Sequence, residues 1–300
     1  MTAARAWWNG ARPRTLVAGV MPVLVGAAAS ATSPWRWEFA AALVVALSLQ
    51  VGVNLANDAF DGMRGVDTTE RLGPPRLVAS GTASARAVLT AALLSLGVAA
   101  VAGLALAIAT SPVPILAIGA LALVAALLYS GGPRPYAGLG LGELMVFLFF
   151  GLMATCGTAY VVGGTVTSAA WWSGTALGLL AVAILVANNL RDIGTDAAAG
   201  KRTLAVRLGE RRTRLLYRAC VIGAFAVICA GVVVGVIEPP PGITKWALVA
   251  LAAWPLAVKP MEAVGSATGR ALIPVLVATA TLEAGFGGAL ALGLLLERTT

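Results

Sequence analysis

Histidine is absent from the sequence, and charged residues are scarce, at 11% of the 300 residues. Without an imidazole, the chain has no histidine general base or nucleophile, and it lacks a usual ligand of haem and of catalytic zinc. The three cysteines, Cys156, Cys220 and Cys229, lie in apolar segments without metal-site spacing, so we interpret them as small buried hydrophobic residues. Any chemistry must therefore rest on carboxylates, amides, cations and aromatic rings.

Hydrophobic residues, in contrast, make up 59% of the chain, and the mean hydropathy is +0.89. A soluble domain does not need so many apolar residues, because its surface must be hydrated. The excess falls in runs of about 17–25 residues, the length of a helix that crosses a bilayer. We therefore predict an all-α, polytopic membrane protein, a single domain over residues 1–300, with about nine transmembrane helices around a central cavity. The expected spans lie at about 15–31, 39–57, 87–110, 113–130, 139–163, 169–190, 215–237, 245–258 and 272–296.

Lysine and arginine residues are distributed unevenly between the loops. Of the 21, 18 fall in the N-terminal segment and the even-numbered loops, whereas only Arg36, Lys245 and Arg298 fall on the other side. Because cytoplasmic loops carry an excess of Lys and Arg, the pattern predicts a cell-membrane protein with a cytoplasmic N-terminus and an external C-terminus. The net charge of +8 is thus explained by topology, and we expect no nucleic-acid partner.

Two similar clusters of asparagine and aspartate stand at the predicted cytoplasmic ends of two spans. The first acidic cluster, residues 54–61, reads Asn-Leu-Ala-Asn-Asp-Ala-Phe-Asp, and the second acidic cluster, residues 188–196, reads Asn-Asn-Leu-Arg-Asp-Ile-Gly-Thr-Asp. In each, an Asn precedes an Asp by four positions, so both face the same side of a helix. Carboxylates are costly near lipid unless a partner or an ion accompanies them. With Arg and Lys following each cluster, the pattern predicts Mg²⁺ ions that hold an anionic diphosphate.

These motifs resemble the UbiA superfamily of intramembrane aromatic prenyltransferases. The resemblance runs from residue 11 to about residue 209 and includes Arg-Leu-Val-Ala-Ser-Gly at 76–81 and Gly-Lys-Arg-Thr-Leu-Ala-Val-Arg-Leu-Gly at 200–209. Within the superfamily, the chain is similar to the branch that prenylates 1,4-dihydroxy-2-naphthoate. The resemblance implies transfer of a polyprenyl group from polyprenyl diphosphate to that acceptor, with loss of diphosphate and carbon dioxide, to give demethylmenaquinone. It also implies Mg²⁺ as cofactor, an active site on the cytoplasmic side and contact with membrane lipid.

The resemblance further implies roles for individual residues. The expected catalytic and metal-binding aspartates are Asp58, Asp61, Asp192 and Asp196, with Asn54 and Asn188 as further metal ligands. The expected substrate-binding residues are Asn54, Asn57, Asn188, Arg14, Arg71, Arg76, Tyr129, Arg134, Lys201 and Tyr160. Asp67 is either a metal ligand or a residue that orders its loop. Tyr129 and Tyr136 also suit an aromatic belt at the membrane interface. Glu143 is expected to pair with Arg134, with a general acid or base role as the alternative.

Three other interpretations are open at this point. The first is a related prenyltransferase with a different acceptor, which the long second motif disfavours. The second is a CDP-alcohol phosphotransferase, whose signature opens like residues 58–62, but the paired aspartates that should follow are missing. The third is an ion transporter, but transporters place carboxylates near the bilayer midplane in broken helices, whereas these lie at span ends on one side. A membrane-embedded prenyltransferase is therefore the favoured interpretation.

Overall fold

Helices supply all the regular secondary structure in residues 2–65, 73, 76–237 and 242–298, the part of the chain that the computed structural model describes. The all-α prediction is therefore confirmed for these residues. Asp67 and Arg71 lie outside the described residues. The α-helices are α1 (Ala3–Ala11), α2 (Val17–Ala28), α3 (Trp37–Met63), α4 (Ala85–Ala109), α5 (Pro112–Leu128), α6 (Gly142–Val146), α7 (Ala154–Gly163), α8 (Ser168–Arg191), α9 (Ile193–Ala198), α10 (Leu204–Ile237), α11 (Trp254–Ala263) and α12 (Leu272–Glu297).

Six segments in the described part of the chain are long and apolar enough to cross a membrane. They lie at 37–63, 85–109, 142–163, 168–191, 204–237 and 269–297. Helices α2 and α5 are apolar but shorter, and α11 is preceded by the 3₁₀ segment Lys245–Ala253. The chain is thus a multi-pass membrane protein, while the full number of nine spans stays a prediction.

Local sequence explains where several of these helices begin and end. The hydroxyl groups of Ser84 and Thr167 accept hydrogen bonds from the third residue along, which caps the first turns of α4 and α8. Pro112 is the first residue of α5, where its missing N–H costs nothing. Helix α3 continues to Met63, beyond the predicted span end at 57, so the whole first acidic cluster is helical.

Helix α8 lies at the centre of the bundle. Leu177 and Leu180 are fully buried, and α8 packs against α10, α12 and the π-helical segment Phe147–Met153 that joins α6 to α7. The approach to this segment is close, since a Cβ atom added to Gly151 would lie 2.5 Å from the Cα atom of Gly178. Small residues let membrane helices approach closely and gain van der Waals contact. This packing fixes the end of α8, which carries the second acidic cluster.

Candidate active site

Asn57 is the hub of the first acidic cluster. Its amide oxygen accepts hydrogen bonds from the guanidinium groups of Arg12 and Arg76, both at 2.7 Å. Its amide nitrogen donates to Asp61 at 3.1 Å and to Ser130 at 2.5 Å. The cluster at the end of α3 is therefore joined to the N-terminal segment, to the loop that follows α3 and to the end of α5.

Asp58 faces away from this hub. Its two carboxylate oxygens accept hydrogen bonds from the backbone N–H groups of Leu77 and Val78, at 2.9 and 3.1 Å, and the residue is fully buried. Asn54 and Asn57 line the cavity described below, whereas Asp58, one residue on from Asn57 and so turned from it by about 100°, does not. The structure thus places Asp58 where it holds the loop that carries Arg76, and not where we expected a metal ligand.

The second acidic cluster is built at the junction of α8 and α9. The buried Arg191 donates two hydrogen bonds to the carboxylate of Asp192, at 2.8 and 2.5 Å. The same guanidinium lies against the loop that follows the first acidic cluster, since a Cβ atom on Gly73 would lie 3.2 Å from its Cζ atom. Asn188, Asp192 and Asp196 all line the cavity. The second acidic cluster therefore stands in the cavity wall.

Lys201 connects the two clusters. Its ammonium group lies 3.5 Å from a carboxylate oxygen of Asp61, and its backbone N–H donates to the carbonyl oxygen of Asp196 at 2.8 Å. Gly200 precedes it with φ +73°, a conformation that glycine adopts without strain and that turns the chain back toward the first cluster. Two clusters that are distant in sequence therefore meet, with a cation between them.

Both clusters meet at one end of a cavity of about 620 Å³. The cationic side chains that line it within the described residues are Arg12, Arg76 and Lys201. Beyond this polar end, the cavity walls come from α2, α3, α4, α5, α7 and α8. They are largely apolar and include Val23 and Leu106. A charged end and a long apolar body match a molecule that joins an anionic head to a hydrocarbon tail.

Tyrosines lie beside the polar end. Tyr129 lines the cavity and its ring makes an edge-to-face contact with Tyr136 at 5.4 Å between centroids. The Tyr136 hydroxyl donates to the carbonyl oxygen of Ala125, and burial raises the pKa of this phenol above its usual value. Tyr160, in contrast, packs with Val23 in an apolar cluster and does not line the cavity.

Two of the expected cations do not reach the cavity. Arg14 and Arg134 are exposed and do not line it. Arg12 takes the place expected for Arg14, because its backbone adopts φ 56°, a left-handed conformation that turns the chain between α1 and the next turn. Nothing in the pattern Arg-Pro-Arg signals which arginine points inward. The expected Glu143–Arg134 pair is also wrong: the carboxylate of Glu143 is buried and accepts a hydrogen bond from Asn189.

The donor atoms at the polar end suit Mg²⁺. Carboxylate and amide oxygens are the hard ligands that this ion prefers, and it commonly uses one or two carboxylates together with substrate phosphates. The described residues contain no group of three acidic, His or Cys side chains able to hold a metal ion by themselves. Asp192, Asp196 and Asn188 on one wall and Asn54 on the other therefore fit an ion that arrives with a diphosphate.

A helical membrane bundle with two acidic clusters and three cations at one end of an apolar cavity has the parts of an intramembrane prenyltransferase. The chain belongs to the UbiA prenyltransferase family, whose family model matches residues 19–261. It is 47% identical over 280 residues to 1,4-dihydroxy-2-naphthoate octaprenyltransferase of Mycobacterium tuberculosis, with 92% of each chain covered.

Solved structures share the fold. The apo structure of a UbiA homologue from Aeropyrum pernix superposes with a TM-score of 0.64 at 17% identity, covering 94% of this chain and 97% of that one. A UbiA homologue from Archaeoglobus fulgidus, bound to DMAPP and Mg²⁺, gives 0.60 at 14% identity, covering 95% and 99%. At these identities the likeness concerns the fold alone.

Proposed function

We propose that this chain transfers a polyprenyl group from polyprenyl diphosphate to 1,4-dihydroxy-2-naphthoate, releasing diphosphate and carbon dioxide and forming the quinol, the reduced form of demethylmenaquinone. The observation that carries the proposal is the convergence of both acidic clusters, through Lys201, at the polar end of an apolar cavity. The 47% identity to a relative that bears this activity in its name supports the choice of acceptor. The whole chain, residues 1–300, acts as one membrane domain of about nine spans.

The polar end binds the diphosphate. Asp192 and Asp196, with Asn188 and Asn54, would hold Mg²⁺, which supplies positive charge to the phosphate oxygens and so stabilises diphosphate as a leaving group. Asp61, 3.5 Å from Lys201, holds that ammonium group at the same end.

Cations of the chain bind the remaining phosphate oxygens. Arg12 and Arg76 share the amide oxygen of Asn57, which fixes both guanidinium groups beside the cavity. Guanidinium forks suit phosphate oxygens and form charge-assisted hydrogen bonds. Together with Lys201 they neutralise charge that the metal leaves uncompensated.

The apolar body accommodates the isoprenoid tail. Gly103 and Ile115 line the cavity, and Leu104 and Leu116 line it and are about half exposed. An opening between α4 and α5, toward the lipid that surrounds a membrane protein, would account for this exposure. A tail longer than the cavity remains in hydrocarbon and exposes no apolar surface to water.

Bond formation then needs little from the protein. The allylic carbon–oxygen bond breaks and its electron pair leaves with the diphosphate, while a ring carbon next to a hydroxyl group of the acceptor bonds to the allylic carbon. Carbon dioxide leaves from that ring carbon, and its bonding pair restores the aromatic ring. The ring of Tyr129 at the polar end stabilises positive charge on the allylic group.

The proposed orientation in the membrane follows from the distribution of Lys and Arg between the loops. With 18 of 21 Lys and Arg residues in the N-terminal segment and the even-numbered loops, we propose that the N-terminus and the polar end face the cytoplasm and the C-terminus lies outside the cell membrane. Cysteine labelling near position 134 from the cytoplasmic side would test this orientation.

The decisive experiment is product analysis. The purified protein, reconstituted in lipid vesicles with Mg²⁺, is incubated with dihydroxynaphthoate and a mixture of prenyl diphosphates, and products are identified by mass spectrometry. We expect prenylated naphthoquinol that has lost the carboxyl group. A parallel reaction with 4-hydroxybenzoate should give no product. Prenylation of 4-hydroxybenzoate in place of the naphthoate would overturn the proposed acceptor.

A further inference from the structure

Asn189 and Glu143 form a polar pair in the cavity wall that the diphosphate does not explain. The amide nitrogen of Asn189, on α8, donates a 2.9 Å hydrogen bond to Oε1 of Glu143, on α6. Glu143 is 94% buried, at 6% relative exposure, and lies behind Asn189, which is half-buried and lines the cavity. The second carboxylate oxygen of Glu143 is buried without a hydrogen-bond partner in the described part of the chain.

The carboxylate fixes which way the amide of Asn189 points. Oε1 of Glu143 accepts, so the NH₂ group of Asn189 is held toward α6. The amide oxygen lies on the other side of the carboxamide and, because Asn189 lines the cavity, it is available to a ligand there. A cavity-facing oxygen that accepts hydrogen bonds repels a diphosphate but suits a hydroxyl group. The prenyl tail carries no donor, so of the two substrates only a hydroxylated aromatic ring matches this oxygen.

The position of the pair also suits an acceptor ring. Asn189 lies one residue from Asn188 of the second acidic cluster, and Leu185 and Met145 line the cavity around it. Tyr129 and Lys201 line the same cavity as Asn189. An aromatic ring held there has apolar walls for its faces and the allylic carbon of the bound diphosphate nearby.

We propose that Asn189 binds a hydroxyl group of the aromatic acceptor through its amide oxygen, and that Glu143 is the positioning residue that orients this amide. The proposal rests on the proposed function, since it assigns a subsite for the second substrate of that reaction. It explains why a buried carboxylate stands at the start of α6 although no cation pairs with it in the described residues.

Two substitutions test the pair by the Michaelis constants of the two substrates. Asn189→Leu removes the amide oxygen, and we expect the KM for dihydroxynaphthoate to rise about tenfold while the KM for prenyl diphosphate changes less than about twofold. Glu143→Gln keeps the size of the side chain, but a glutamine amide can also donate a hydrogen bond, so the amide of Asn189 can take either orientation. We expect the KM for dihydroxynaphthoate to rise about threefold. If Asn189→Leu does not fold, Glu143→Gln decides alone.

A methylated analogue identifies the group that is recognised. The wild type should prefer dihydroxynaphthoate over the ether in which the hydroxyl next to the carboxyl group is methylated. That preference, as a ratio of kcat/KM values, should fall at least about fivefold in Asn189→Leu, because the lost oxygen no longer selects a donor. An unchanged ratio, or an equal rise of both Michaelis constants, would overturn the proposed subsite.

Glu283 supplies a matched control. It is also a buried carboxyl group on a membrane helix, α12, and both of its oxygens lack hydrogen-bond partners in the described residues, but it does not line the cavity. Glu283→Gln should leave both Michaelis constants within about twofold of the wild type, because distant sites do not couple. A rise in the acceptor KM equal to that of Glu143→Gln would show a general effect of buried carboxyl groups and refute the proposal.

Failure of this inference is distinguishable from failure of the proposed function. If the wild type forms no product from dihydroxynaphthoate with any prenyl diphosphate, both the proposed function and the acceptor subsite are wrong. If the wild type forms product but the variants keep the wild-type acceptor KM, only the subsite is wrong. Equilibrium binding of 1-hydroxy-2-naphthoate, followed by its fluorescence, should be weakened in Asn189→Leu without any turnover.

Discussion

The two acidic clusters are alike in sequence but differ in what holds them. In the first, Asn57 and Asp58 are bound by groups from three other segments: the N-terminal turn, the loop after α3 and the end of α5. In the second, Asp192 is bound by the adjacent Arg191 and stands in the cavity wall. The first cluster therefore organises the loops around the site, while the second lines the cavity.

Similar motifs thus do not imply equal roles. On a helix, residues three or four apart share a face, and a residue one position away is turned by about 100°. Asn57 and Asp61 lie four apart on α3 and are hydrogen-bonded to each other, whereas Asp58, one position from Asn57, is turned away from it and meets the backbone of the following loop. The difference between the clusters makes predictions that substitution can test.

Removal of the metal should have the largest effect, because the second cluster acts on the diphosphate through the bound ion. We expect turnover to disappear in excess chelator and to return with Mg²⁺ or Mn²⁺, which suit carboxylate and phosphate oxygens, but not with Zn²⁺ at equal concentration. The measurement is product formation in vesicles, with metal removal verified by elemental analysis. Undiminished turnover in verified metal-free protein would mean that the aspartates serve another purpose.

Asp192→Asn should have the next largest effect. The change keeps the size but removes a negative charge from the cavity wall, and we expect turnover to fall at least about a hundredfold, or about 2.7 kcal/mol of transition-state stabilisation. Addition of Asp196→Asn should cost little more, because ligands of one unit act non-additively. Single-turnover rates of the folded variants measure this. More than about a third of the wild-type rate in Asp192→Asn would contradict the role of the second cluster.

Asp58→Asn should lower turnover less than Asp192→Asn does, and should act mainly by lowering stability. The carboxylate of Asp58 accepts from two backbone N–H groups, and an amide offers only one oxygen, so one buried donor loses its partner. We expect the free energy of unfolding to fall by about 1–3 kcal/mol and turnover to fall by about tenfold, through displacement of the Arg76 loop. Asp192→Asn also leaves one donor of the buried Arg191 without its partner. Assayed in parallel by thermal unfolding, it should lose a similar free energy of unfolding, but its turnover should fall about ten times further. Equal losses of turnover in the two folded variants would remove the distinction between the clusters.

Much of this arrangement could be predicted from the sequence. Apolar runs predicted the helices, and the spacing of Asn and Asp predicted that Asn54, Asn188 and Asp192 would face one cavity. The role of Asp58 could not be predicted from the sequence. Its partners are backbone N–H groups of a loop, and a helical pattern does not specify the path of that loop. Asn189 was overlooked beside Asn188, since only the placement of α6 shows that it meets Glu143.

The smallest predicted effect concerns two neighbouring arginines that the sequence could not tell apart. Arg12 bonds to Asn57 and lines the cavity, whereas Arg14 is exposed and does not. We expect Arg12→Gln to raise the KM for prenyl diphosphate about fivefold, because one charge-assisted contact to the diphosphate is lost. Arg14→Gln removes the same charge two residues away. It should change the KM for prenyl diphosphate less than about twofold, because exposed charges contribute little.

Initial rates at varied prenyl diphosphate and saturating acceptor distinguish the two variants. Ionic strength is held constant, so that a general loss of basic charge at the membrane surface affects both alike. A larger effect of Arg14→Gln than of Arg12→Gln would show that the left-handed turn at Arg12 does not select the inward arginine. This outcome would also mean that the contact between Arg12 and Asn57 is not needed for diphosphate binding. The first acidic cluster would then not be the part of the site that organises the surrounding loops.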